Sequence, residues 1–114
     1  MRIVFVASLF AGLAVPALAA PDPAKVYADN CARCHRLDGQ GIVGAYPGLA
    51  GDKITNGPAP VAIRILLDGK GEMPGFRNRI TDDEMAAALS FTRTRWGNAA
   101  GPVGAEEFAK LRGK

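Results

Sequence analysis

Histidine occurs once in this 114-residue chain, at position 35, and cysteine only twice, at 31 and 34. A structural zinc site takes about four nitrogen or sulfur ligands, so these three residues cannot complete one unaided. With one histidine, no metal can be held by two histidines of the same chain. No run of lysine or arginine is present, which removes the electrostatic footprint of a nucleic-acid-binding protein. Beyond residue 20 no strand-like alternation, internal repeat or second cysteine pair appears.

The longest apolar run sits at the amino end. Arg2 is followed by apolar residues from Ile3 to Val15 and then by "PALAA". That order of basic start, apolar centre and small-residue end reads as a secretory signal, cut after Ala19 or Ala20. The run is too short for a membrane span, so no stable span is expected once it is removed; retention as an anchor is the alternative. The expected organisation is a signal peptide over 1–20 and one domain over 21–114, exported to the periplasm. Without Arg2, 13 Lys and Arg face 11 Asp and Glu, a net charge of +2. A domain this short has a modest core and benefits from a covalent or cofactor staple.

Cys31, Cys34 and His35 stand together in "NCARCH". In an exported chain such a cluster has three readings: a disulfide, a metal site, or covalent attachment of haem c. A disulfide gives His35 no role. A thioredoxin-like redox pair needs a strand before the motif, whereas "DPAKVYADN" reads as a short helix. Haem c uses all three residues, the thiols as thioethers to the vinyl groups and the imidazole as an iron ligand.

A second iron ligand has to come from methionine. Met1 leaves with the signal, so Met73 and Met85 remain. Met85 follows "TDDE", where Thr81 and Glu84 can form a capping box, and Met85, Leu89, Thr92 and Trp96 recur at helical spacing. That pattern assigns Met85 to the core of a helix from about Thr81 to Trp96. Met73 lies in "GKGEMPGF", between glycines and before Pro74, in a loop able to present a sulfur to a metal. Elsewhere, Asp22 and Pro23 suit the start of a helix carrying Val26 and Tyr27 into Cys31. Pro58 to Leu67 reads as a helix with Val61, Ile65 and Leu66 inward and Gly69 at its end. The stretch from Gly39 to Gly57 reads as a long irregular loop that wraps a cofactor. The tail after Gly104 suits one more short helix, with glycine a weaker cap than serine or threonine.

Four segments, "YADNCARCH", "YPGLAG", "GKGEMPGF" and "FTRTRWGNAAGPV", resemble the class I c-type cytochromes across nearly the whole of the chain after residue 20. The resemblance implies an all-α cytochrome c fold of three to five short helices around one covalently attached haem. It implies His35 and Met73 as the axial pair, with the Pro47 carbonyl accepting a hydrogen bond from the His35 ring. It also implies an aromatic contact between first and last helices, here Tyr27 and Phe91. Tyr46, Ile65 and Phe76 are expected as pocket support, and Arg64 and Trp96 as further candidates beside the propionates.

An iron with both axial positions filled exchanges electrons without making bonds, so an electron carrier is expected rather than an enzyme. The expected partners are redox proteins, with a periplasmic dehydrogenase as donor and a terminal oxidase or another cytochrome as acceptor. The carrier is expected either as a free shuttle or as the cytochrome subunit of a dehydrogenase, and the ending "RTRWGNAAGPV", which resembles cytochrome modules of bacterial dehydrogenases, favours a dehydrogenase partner. The exposed haem edge is expected near Lys70, Gly71 and Arg33. The alternative is a haem c enzyme or ligand-binding sensor in which Met73 does not coordinate.

Overall fold

The computed structural model describes residues 2–13 and 19–113; Met1, Lys114 and residues 14–18, which hold the end of the apolar leader and the start of "PALAA", lie outside the described residues. Five helices follow in order: α1 Pro23–Asn30, α2 Ala32–His35, α3 Ala59–Asp68, α4 Asp82–Arg93 and α5 Ala105–Arg112. Among the described residues, extended pairing is confined to two isolated bridges, Ile42 with Tyr46 and Lys70 with Met73. No helix among them is long and apolar enough to cross a membrane.

Each helix begins where local chemistry starts it. Asp22 accepts a hydrogen bond from the Ala24 amide at 3.1 Å and Pro23 occupies the first turn of α1, where its missing N–H costs nothing. Thr81 and Glu84 close a reciprocal capping box on α4, both bonds 3.1 Å. Gly104 has no side chain to contribute at α5, so only half of such a box forms, with Glu107 accepting from the Gly104 amide at 2.9 Å.

The core lies between α3, α4 and α5. Ile63 and Leu67 of α3, Met85 and Leu89 of α4 and Phe108 of α5 are buried together with Phe76. Met85 is fully buried, as its helical spacing requires. Tyr27 of α1 is buried against α4 through Phe91, ring centroids 5.1 Å apart.

Two expectations shift. Val61 is exposed, because the buried face of α3 is centred on Ala62, Ile63 and Leu67, one position around the helix. α4 ends at Arg93, so Trp96 lies past the helix with a φ of 54° and leaves the Met85–Leu89–Thr92 stripe. Its ring turns back to Tyr27 and Phe91, at 5.3 and 5.7 Å, and covers Gly39, where any Cβ would overlap the indole.

Candidate functional site

The last turn of α1 runs almost directly into α2, a single turn that carries the cysteine–histidine motif. The Cys31 amide still bonds to Tyr27, while the Cys34 and His35 amides both bond to the Cys31 carbonyl at 3.2 and 3.0 Å. One turn therefore holds Cys31, Cys34 and His35 in fixed register. The buried Tyr27 hydroxyl donates to the Arg36 carbonyl and ties down the exit, where Arg36 has a φ of 66°. Both cysteines are partly buried, and they are not joined to each other in a disulfide. Burial, with the neighbouring Cys34 as a second cause, pushes the Cys31 thiol up to about 11.

His35 Nδ1 donates to the Pro47 carbonyl at 2.8 Å. A carbonyl can only accept, so the proton sits on Nδ1 and Nε2 keeps the lone pair a metal needs. Proline contributes a carbonyl without a competing N–H at that residue. The loop bearing it is shaped by the Ile42–Tyr46 bridge and by the Leu49 amide bonding to the Gly39 carbonyl at 2.7 Å.

Met73 comes from the loop between α3 and α4. Lys70 and Met73 exchange backbone bonds of 3.1 and 3.0 Å, and the Phe76 amide bonds back to the Leu66 carbonyl at 2.7 Å. The methionine loop is thereby folded against the end of α3.

Cys31, Cys34, His35, Tyr46, Pro47, Ile65, Met73 and Phe76 all border one cleft of about 620 Å³. That volume falls within the ~300–1,000 Å³ range of small-molecule and cofactor pockets. Most of the lining is apolar, with Leu49, Ile54, Ala62, Leu66 and Leu89 adding to the residues above. The donor set, two thiols, an imidazole with its metal-binding nitrogen free and a thioether, fits a covalently attached metalloporphyrin in an apolar slot.

A family model described as cytochrome C oxidase, cbb3-type, subunit III matches residues 18–91. The chain belongs to the class I c-type cytochromes. Cytochrome c-552 of Thermus thermophilus is 40% identical over 119 residues, covering 86% of this chain and 79% of that protein. The cytochrome c subunit of the quinone alcohol dehydrogenase of Gluconobacter oxydans is also 40% identical, over 102 residues and 78% of this chain. The cytochrome spans only 21% of that subunit's length. Its fold matches cytochrome c6 from the diatom Phaeodactylum tricornutum with a TM-score of 0.55 and 24% identity, over 66% of this chain and 91% of the other. This cytochrome therefore carries covalent haem c and transfers electrons, and its helical fold is that of the family.

Two sequence candidates stand away from the cleft of this cytochrome. Arg64 is exposed on α3 and Trp96 belongs to the aromatic cluster with Tyr27 and Phe91. Lys70 and Gly71 border the cleft and are exposed, while Arg33 is exposed on α2 without bordering it. Asp52 and Thr55 were missed, although their spacing carries a local signal: Asp52 accepts from both the Thr55 amide, 2.8 Å, and its hydroxyl, 3.0 Å. Arg93 and Asn98 behind the same wall carry no such signal, because the partners that place them there, Thr55 and Gly57 for Arg93 and Leu49 and Gly51 for Asn98, lie 36 to 49 residues away.

Proposed function

We propose that this cytochrome is a periplasmic one-electron carrier whose iron is held by His35 and Met73, with haem attached through Cys31 and Cys34. The observation that carries the reading is the convergence of these four side chains on one apolar cleft. When bound, the haem supplies a reversible ferric–ferrous couple. The Pro47 carbonyl orients His35 and strengthens its donor nitrogen. The paired backbone of Lys70 and Met73 holds the sulfur-bearing side chain at the cleft. Leu49, Ile65, Leu66 and Phe76 exclude water, which favours the less charged ferrous site. His35 and Met73 would hold the iron, and the group would supply electron exchange, while this chain's residues bind it, orient His35 and keep water out.

The first twenty residues are proposed as a removable secretory leader and 21–114 as the working domain. The pattern of the leader supports this, as does the exposure of Phe5, Leu9 and Phe10, apolar side chains that the folded domain does not cover. The donor is proposed to be a periplasmic dehydrogenase, either in a complex or by diffusion, and the acceptor a terminal oxidase or a second cytochrome. The likeness to a dehydrogenase cytochrome subunit supports that donor class. Lys70, Gly71 and Arg33 supply an exposed, partly basic rim for a brief encounter.

Visible spectra of the mature protein in both redox states, with mass spectrometry of the intact chain, test the reading. Covalent haem, a far-red sulfur-to-iron band when oxidised and no carbon monoxide binding when reduced are the expected result. Tight carbon monoxide binding at neutral pH would overturn the ligand assignment.

A further inference from the structure

Arg93 ends α4 with its side chain buried, only 6% of the residue being exposed. Its Nε donates to the Gly101 carbonyl at 2.9 Å, one terminal nitrogen to the carbonyls of Thr55 and Gly57 at 3.1 and 2.8 Å, and the other to Ala100 at 2.9 Å. Among the described residues the ion pairs are Lys25–Asp29, Arg77–Asp68 and Arg112–Asp82, and Arg93 belongs to none of them. Four carbonyl dipoles take up four of its five N–H donors but do not cancel its charge. A guanidinium stays protonated in proteins, and an unpaired buried cation is costly.

The location gives that cost a use. Thr92, beside Arg93 in sequence, and Thr55, whose carbonyl it binds, both border the haem cleft. The cation therefore stands directly behind one wall of the site, in protein rather than in water. Interactions between buried charges are screened far less than those at the surface. A fixed positive charge favours the state that has gained an electron.

We propose that the buried Arg93 guanidinium is the fixed charge that biases this cytochrome's haem toward the reduced state, acting through the wall formed by Thr55 and Thr92. Arg93 is a positioning residue for the loop over 55–57 as well, but the charge and the clamp are separable. Arg93→Lys keeps the charge and loses most of the carbonyl bonds. Arg93→Gln keeps some bonding capacity and loses the charge.

The inference rests on haem occupying the cleft, so both variants are first confirmed as holoprotein by mass and spectrum. Reduction potentials are then measured at low and high salt. For Arg93→Gln the redox equilibrium is expected to move about tenfold toward the oxidised form, equal to 59 mV for a one-electron couple, at either salt concentration. Arg93→Lys is expected to stay within about twofold of the parent while melting at lower temperature. An unshifted Arg93→Gln protein, or equal shifts in both variants, overturns the proposal. If Arg93→Gln does not accumulate as holoprotein, Arg93→Lys decides alone: a shift within about twofold supports the charge and a tenfold shift overturns it. Absence of haem from the parent protein would instead sink the ligand reading, a result distinct from any of these.

Discussion

Met73 and Met85 have the same side chain and opposite surroundings. Met85 is sealed within α4 and the core, whereas Met73 is half-buried at the cleft. Met73→Ala is expected to abolish the far-red band, open the sixth position to carbon monoxide and lower the potential. Met85→Ala should leave the spectrum unchanged and cost roughly 2–5 kcal/mol of stability, read from denaturant melts. Tyr27 adds a pH dependence. Burial, ahead of the nearby Cys31 and Asp38, pushes its phenol above the usual tyrosine range. A folded pKa raised above the unfolded value makes a contribution that is complete below about pH 10 and is lost as pH rises toward the folded value. Denaturation free energy should therefore fall more steeply above about pH 10 in the parent than in Tyr27→Phe, measured side by side.

At the scale of elements, α4 and the methionine loop respond to different changes. Thr81→Ala removes the capping box and should cost about 1 kcal/mol without moving the potential, since the cap lies at the far end of α4 from Thr92. Gly69 ends α3 with a φ of 79°, and a Cβ there would meet the Met73 carbonyl and stand 2.8 Å from the Gly75 nitrogen. Gly69→Ala should therefore push the loop outward and weaken the far-red band at neutral pH. A full-strength band in that variant would mean that the loop is not needed to place the sulfur. α5 is secured by a charged lattice in which Arg112 pairs with Asp82 and donates to the Arg77 carbonyl at 2.9 Å, while Arg77 pairs with Asp68 at 2.8 Å. That lattice ties α5 to the start of α4 and to the segment that follows Met73.

For the whole molecule, the cleft divides what would otherwise be one core. Ile65 and Leu66 both border the cleft and remain only partly buried, although Leu66 also packs against the core. Their burial has to come from haem, and the irregular loops over 39–57 likewise have the cleft as the thing they enclose. Cys31→Ala with Cys34→Ala should thus leave a chain that is largely unfolded by circular dichroism and amide exchange, as expected for a domain of this size deprived of its staple. A cooperative melt of that double variant would contradict the account.

The cysteine–histidine turn, the helix starts at Asp22 and Thr81, the buried Met85 and the loop position of Met73 were legible because each depends on neighbours within a few residues. Helical spacing went wrong at Trp96, where the chain turns out of α4 to reach Tyr27, a partner 69 positions earlier, and at Val61, one step around α3 from the buried face. Only the tertiary structure brought Asp52, Thr55, Arg93 and Asn98 to one wall. Arg93 looks like a surface cation in "FTRTRWGN", and its burial depends on carbonyls that the fold delivers from 36 and 38 residues away. The sequence by itself determined which thiol, imidazole and thioether groups are on offer to a cofactor, since that chemistry is carried by side-chain type. The fold alone decided which charge stands behind the cofactor, because electrostatic influence depends on distance through space and on burial, and neither is written along the chain.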